Sequence, residues 1–212
     1  MRKLVPILLL ISASAAMAQQ SAHLDADKIV AEAVEAHRAM KVFAVSYAHT
    51  LNDGTNAKTE PAQAWFSRDR FRIRYPEMEY FDNGRYIWVH HMDVQRVFVY
   101  DAAPNTFWDI DRVFWYDWTR GETKDLVAES DAWRVTVQVN NDDLYRADLW
   151  IGLDDHRIQR AILYDSEGRR HSFEVSEYEE RKRIPFWIFA FNERRNPDAL
   201  ILPLTAEPYE GY

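Results

Sequence analysis

The chain has 212 residues, 47% of them hydrophobic and 14% aromatic, so it is long and apolar enough to bury one sizeable core. Its formal net charge of −8 argues against nucleic acid as a general partner. The absence of cysteine excludes disulfides, a thiol nucleophile and a lipid-modified cysteine.

The first residues have the pattern of a secretory signal peptide. Arg2 and Lys3 form a basic start, an apolar run covers residues 4–11, and residues 16–18 read Ala-Met-Ala, a small-residue cleavage pattern. The apolar run is too short to remain as a membrane-spanning anchor. We expect cleavage after Ala18 and one exported domain over residues 19–212, with a formal charge that moves from −8 to −10 as the two basic residues are lost.

A helix is predicted next, over residues 26–41, where apolar side chains recur at helical spacing. Extended segments then begin at Val42 and are separated by strong turn signals, notably Asn52-Asp53-Gly54 and Asp82-Asn83-Gly84. The segments predicted as strands are Val42 to Leu51, Ala62 to Tyr75, Arg85 to Val89, Val94 to Tyr100, Trp133 to Val139, Tyr145 to Leu153, Arg157 to Asp165, Arg169 to Tyr178 and Phe186 to Phe191.

Two segments do not fit the strand pattern. Residues from Asp109 to Glu129 are rich in Trp, Tyr and Asp and predict an insertion of helix and loop, and the tail marked by Pro197, Pro203 and Pro208 is predicted to be irregular. The remainder is an antiparallel run of about nine or ten strands, which is long enough to curl or close rather than lie flat.

One strand pattern is especially regular. Phe71, Ile73 and Tyr75 share one side of an extended segment, while three arginines at positions 70, 72 and 74 share the other. This alternation is typical of a sheet with one face on a core and one face towards water.

Residue patterns for catalysis or metal binding are weak. His90 and His91 are adjacent and point to opposite faces of a strand, and four other histidines stand alone at positions 37, 49, 156 and 171. No nucleophile elbow is present, and the carboxylate pairs Asp109/Asp111 and Glu177/Glu179 are of a kind expected by chance in an acidic protein. We therefore expect no catalytic residue, no metal and no cofactor.

The aromatic content leaves two interpretations open. The chain has 8 Trp, 11 Tyr and 11 Phe, which either fill an ordinary core or line an apolar cavity inside a curved sheet. Composition does not decide between them.

The order of short motifs resembles the LolA-like superfamily of periplasmic lipoprotein carriers. Residues 65–76, WFSRDRFRIRYP, are similar to the family's W-V-x-R-P segment and the strand after it. Residues 82–97 resemble its S-D-G-x-x-x-W-x-Y strand and return strand, and residues 189–192 resemble its late F-x-F segment. The chain departs from the family where Asp69 replaces a proline and where His90-His91-Met92 replaces an Asn-Pro.

The resemblance implies an α+β fold: an incomplete (unclosed) antiparallel β-barrel with an N-terminal helix and a helical insertion covering the concave side. It implies a periplasmic, monomeric carrier or binder of the acyl chains of lipoproteins or lipids. Its partners would be transport components of the inner and outer membranes, with no nucleic acid. Arg68 matches the arginine that helps control the open and closed forms of the family's carrier. The residues expected to line the lipid cavity are Trp65, Arg68, Phe71, Ile73, Tyr75, Trp88 and Trp115.

Two other functions remain open at this point. LolA-like domains also occur in periplasmic regulators that bind a membrane signalling partner. A hydrolase acting on lipid or glycan would instead require an essential pair of carboxylates, with Asp109, Asp111 and Glu177 as candidates.

Overall fold

The computed structural model describes residues 25–67, 70–102, 113–139 and 143–211. Helix α1 occupies residues 25–40, as the apolar spacing predicts. The strands are β1 (Val42–Asn52), β2 (Ala57–Ser67), β3 (Arg70–Arg74), β4 (Met78–Asp82), β5 (Tyr86–His91), β6 (Arg96–Asp101), β7 (Glu122–Ala128), β8 (Ala132–Gln138), β9 (Leu144–Gly152), β10 (Ile158–Asp165), β11 (Arg170–Glu180) and β12 (Leu200–Pro203). Short 3-10 turns include Trp118–Arg120, Phe186–Phe189 and Glu193–Arg195.

These twelve strands form one sheet in the order β12-β6-β5-β4-β3-β2-β1-β11-β10-β9-β8-β7. Every pairing between them is antiparallel except that of β12 with β6. If the sheet were flat, β3 and β8 would lie about 30 Å apart at the usual strand spacing. They nevertheless contribute to the same core cluster as α1, so the sheet curls around the helix. The predicted unclosed barrel with an N-terminal helix is confirmed.

Turn residues separate the strands where the sequence predicts. Gly54 and Gly84 have φ angles of 91° and 87°, a region that glycine adopts without a Cβ clash. Asp53 Oδ1 accepts hydrogen bonds from the backbone N–H groups of Thr55 and Asn56, which holds the first turn.

The single extended run predicted from Ala62 to Tyr75 is wrong, because it comprises two antiparallel strands. Ser67 pairs with Arg70 and Gln63 with Arg74, so the chain reverses between β2 and β3. No glycine, proline or asparagine marks this reversal in the sequence; the apolar alternation stops at Phe66 and resumes at Phe71 with the opposite parity. Arg68 and Asp69 lie outside the described residues.

In the described part of the insertion predicted over Asp109 to Glu129, helical turns are confined to residues 113–120. Residues 113–120 form short 3-10 turns that cover the core, whereas Glu122–Ala128 is strand β7, paired with β8. Gly121 joins the two parts and permits a close approach, since a Cβ there would lie 2.3 Å from Val137 Cγ1 and 2.8 Å from the Gln138 carbonyl oxygen. Asp109 and Asp111 lie outside the described residues.

The strand predicted over Phe186 to Phe191 is also wrong. Phe186–Phe189 is a 3-10 turn that lies on β3 and β4 instead of at a sheet edge, so no strand is available to pair with it. Strand β4 was not predicted. Nor was β12, by which the irregular tail joins the sheet.

The sheet has a core on each face. We call the face covered by α1 the inner face and the opposite one the outer face. The outer core consists of Phe81, Tyr86, Trp88, Val97, Val99, Ala190 and Phe191, with Ala199, Ile201 and Tyr209 of the tail packed on it. Within the described ranges, no helix is long and apolar enough to cross a membrane.

Candidate functional site

The inner face is the most apolar enclosed region of the described chain. Helix α1 turns five small or branched side chains onto it: Ala26, Ile29, Val30, Ala33 and Val34. Beneath them lie residues of seven strands, from β3 through β1 to β8, most of which are fully buried. A single helix therefore covers a broad apolar surface that the sheet leaves exposed.

Aromatic rings are stacked at one side of this cover. Phe43 and Phe66 stack with centroids 5.0 Å apart, and Trp115 lies nearly parallel to Phe66 at 6.0 Å. Phe114 contacts both Tyr47 and Phe173 deeper in the face. Rings packed in this manner contribute large apolar areas together with specific contacts between their faces and edges.

Two spaces beside α1 are lined by residues of the described chain. A cavity of about 130 Å³ lies between α1, residues 113–118 and Ile158 of β10. A second, more open groove of about 450 Å³ runs between α1 and residues 118–123. Sites for drug-sized ligands usually enclose roughly 300–1,000 Å³. The first volume lies below this range, and the second lies within it.

Four of the residues expected to line a cavity lie on this inner face. Phe71, Ile73 and Tyr75 belong to the inner core and are at most 8% exposed, and Trp115 packs against that core. The alternation in β3 thus places its apolar side under the helix, as predicted.

Trp65 and Trp88 lie on the outer face instead. Trp65 pairs with Arg72 across β2 and β3, and Trp88 pairs with Phe81, which itself pairs with Arg72. Directly opposed residues of neighbouring strands share a face, so both tryptophans lie on the arginine side. The sequence did contain a signal for Trp65: it is adjacent to Phe66 in one strand, and adjacent strand residues point to opposite faces of the sheet. Arg68, the seventh predicted residue, lies outside the described chain.

The arginine side is more than a solvated surface. Arg72 lies 5.4 Å from the ring centre of Trp65 and 5.0 Å from that of Phe81, and its Nη2 donates to Glu79 Oε1 at 2.8 Å. Glu79 is only 7% exposed, and Arg74 lies 3.3 Å from the same oxygen. The pair is thus a largely buried ion pair between aromatic rings.

A chain of polar groups that sequence reasoning did not find lies at the inner face. Tyr75 Oη is 2.9 Å from His49 Nδ1, His49 Nε2 is 3.2 Å from His171 Nδ1, and His171 Nε2 is 3.2 Å from Asp165 Oδ2. With both rings neutral and protonated at Nε2, each contact has one donor and one acceptor. Arg169 completes the chain by donating to Asp165 Oδ2 at 2.6 Å.

Burial keeps these histidines neutral. It lowers the pKa of His49 to about 4 and also lowers the pKa of His171, whose carboxylate partner opposes the shift. The two histidines are far apart in sequence and meet only because β1 pairs with β11, so their spacing carried no signal.

The remaining groups considered for chemistry do not converge. Glu177 and Glu179 are exposed near the end of β11. Among the described residues, no group of three or more histidine, aspartate or glutamate side chains could hold a metal ion. His90 is buried on the outer face against Phe191, while the adjacent His91 packs against Phe98.

No family model matches the sequence, and no curated protein matches it. Solved structures do match. An uncharacterized conserved protein from Thermus thermophilus is 12% identical with a TM-score of 0.56, covering 84% of this chain and 99% of that one. A LolA superfamily protein from Nitrosomonas europaea is 13% identical with a TM-score of 0.46, covering 78% of this chain and 97% of that one. The MucA/MucB complex from Pseudomonas aeruginosa matches at 12% identity and a TM-score of 0.39, covering 79% and 61%.

The chain has the N-terminal helix and unclosed antiparallel barrel that its sequence resemblance implies, and it shares its fold with the Thermus thermophilus protein. At these identities the likeness concerns the fold alone.

Proposed function

We propose that this chain is a periplasmic carrier or binder of acyl chains, acting without catalysis in the transport of lipoproteins or lipids towards the outer membrane. The observation that carries the proposal is the inner face: a broad apolar surface on a curled, unclosed sheet, covered by one amphipathic helix and a short aromatic segment. The signal-like residues 1–18 supply the export that this location requires.

The energetics suit a carrier. Each buried methylene contributes about 0.8 kcal/mol, so an acyl chain of roughly 16 carbons is stabilised by on the order of 10 kcal/mol when it leaves water. Displacing α1 uncovers the apolar inner face of the sheet, and an incoming acyl chain covers that face. Exchange of the helix for the guest thus keeps the apolar surface of the sheet buried.

Co-purified lipid provides the first test. The protein is isolated from periplasm, extracted with organic solvent and analysed by mass spectrometry, and the extracted protein is titrated with a fluorescent fatty acid. We expect bound acyl species and saturable binding of the probe. Loss of both would contradict the proposal.

A pull-down from envelope extract separates carrier from regulator. Lipoproteins and transport components of the two membranes are the partners expected of a carrier. Recovery of a membrane signalling protein, with no lipoprotein and no probe binding, would favour the regulatory alternative.

A further inference from the structure

The outer face carries an exposed aromatic and basic segment, residues 181–187, which we call the basic-aromatic segment. Trp187 is 66% exposed and Phe186 is 44% exposed, although most other aromatic rings of the described chain are buried. Pro185 precedes them, and Arg181, Lys182 and Arg183 begin the segment.

Buried neighbours hold these two rings outwards. Ile184 before them and Phe189 after them are 9% and 1% exposed, and both are fixed against the protein. The backbone N–H of Ile188 donates to the Pro185 carbonyl oxygen, which closes the turn between the two anchors. Trp187 therefore stands out from a well-held turn and not from a loose end.

The segment is basic in an acidic protein. The chain has a formal charge of −8, yet the segment and the eight residues that follow it, 181–195 together, contain five basic residues and a single acidic one, Glu193. Arg181 pairs with Glu179, whereas no carboxylate of the described chain pairs with Lys182 or Arg183. Arg70 adds a further cation, with its guanidinium 5.0 Å from the centre of the Phe186 ring.

Exposed Trp and Phe flanked by Lys and Arg is the composition that binds at a membrane–water interface. The rings enter the headgroup region while the cations remain beside lipid phosphates. The exposed rings would contribute apolar contacts to a protein partner as well as to a membrane. The local excess of cations without carboxylate partners favours the membrane, because anionic lipids present a negatively charged surface.

We propose that the basic-aromatic segment docks the protein on an anionic phospholipid bilayer, with Trp187 and Phe186 in the headgroup layer and Lys182 and Arg183 against lipid phosphates. Docking uses the outer face and needs no acyl chain on the inner face. It therefore goes beyond the proposed carrier function and does not depend on it.

Sedimentation with vesicles tests the proposal. The full protein, freed of lipid, is mixed with vesicles of phosphatidylcholine alone or of phosphatidylcholine with phosphatidylglycerol. We expect binding to the anionic vesicles only, weakened by salt. Lys182→Glu/Arg183→Glu should lower the affinity at least about fivefold for each cation removed, and Trp187→Ser should lower it several-fold at unchanged net charge.

Matched variants control for charge and aromatic content. Lys28→Glu/Arg120→Glu reverses two side chains that are 73% and 74% exposed elsewhere, and Tyr145→Ser removes a 50% exposed ring from β9. Both should bind as the unaltered protein does. Equal sedimentation with the two vesicle types, or equal loss in segment and control variants, would overturn the proposal.

The same proteins are titrated with the fluorescent fatty acid. Retention of probe binding in Trp187→Ser with loss of vesicle binding separates docking from cargo. Vesicle binding without probe binding would leave docking standing and contradict the carrier function instead.

Discussion

His37 of α1 and Tyr178 of β11 join the helix to the sheet, with His37 Nε2 3.1 Å from Tyr178 Oη. His37 Nδ1–H donates to the Ala33 carbonyl oxygen at 2.8 Å, so neutral His37 accepts at Nε2, and the one Tyr178 hydroxyl proton is shared between this nitrogen and the Ile158 carbonyl oxygen, which lies 2.8 Å from Tyr178 Oη. His37 is 4% exposed and lines the small inner cavity. This polar link is thus set in an otherwise apolar contact between cover and barrel.

Acid should weaken the helix cover through His37. Burial lowers the pKa of His37 from 6.5 to about 4, so the unfolded chain binds its proton more readily than the native protein. The free energy of unfolding is therefore unaffected by His37 above pH 6.5 and falls as the pH decreases towards 4, because protonation favours the unfolded chain. The total loss is at most about 3 kcal/mol. Urea unfolding at pH 7.5 and pH 5 should show a smaller difference in His37→Leu than in the unaltered protein.

Val30→Ala is the control for that comparison. Val30 is 1% exposed on the same helix and carries no titratable group, so its loss should lower stability equally at both pH values. If His37→Leu and the unaltered protein lose the same unfolding free energy between pH 7.5 and pH 5, His37 is not a source of the acid sensitivity.

Because of the outer-face ion pair, loss of Arg72 should lower the free energy of unfolding more than loss of Arg74. Arg72→Ala leaves Glu79 buried with a poorer partner and should cost about 3 kcal/mol of unfolding free energy. Arg74 contacts the same oxygen but its side chain is 59% exposed, so Arg74→Ala should cost less than about 1 kcal/mol. Chemical unfolding measures both, and similar losses would show that Arg72 has no special role.

The tail should contribute to stability through Tyr209. Trp88 Nε1–H donates to Tyr209 Oη at 3.0 Å, and Tyr209 O–H donates to Glu193 Oε1 at 2.7 Å. Tyr209→Phe removes the hydroxyl that accepts from the buried indole N–H and should lower the free energy of unfolding by about 1–2 kcal/mol. Tyr145→Phe, at a half-exposed position, should change it little. If both variants unfold alike, the tail contact adds nothing.

The inner face predicts different effects for two tryptophans that the sequence grouped together. Trp115→Ala removes a ring that packs with Phe66 under the cover and should weaken fatty-acid probe binding about tenfold. Trp65 lies on the outer face beside Arg72, so Trp65→Ala should leave the probe affinity unchanged. Fluorescence titration measures the probe affinity of both variants. A larger loss in Trp65→Ala than in Trp115→Ala would place the acyl site on the outer face and contradict the prediction.

Much of the architecture was predictable because local patterns repeat. The helix over residues 25–40, the turns at Gly54 and Gly84, and strands β8 to β11 lie close to their predicted positions, since apolar spacing and turn residues act over a few residues. The β2–β3 reversal, β4 and β12 were missed because each depends on a pairing partner and not on a local residue signal.

The candidate site was only partly predictable for the same reason. Phe71, Ile73 and Tyr75 were correctly grouped from alternation within one strand. The set that added Trp65 and Trp88 spans two faces, because the face of a residue on another strand follows from register. The Tyr75–His49–His171–Asp165 chain had no sequence signal at all, as its members lie on different strands.

Residue order and type were sufficient for the fold class and the periodic apolar faces, because the helical and strand patterns depend on neighbours within a few positions of one another. The tertiary structure decided which face each tryptophan occupies, which residues α1 covers, and that the basic-aromatic segment stands on the outer face. Those properties depend on contacts between residues distant in the chain. The pairing of the strands and the curl of the sheet bring such residues together.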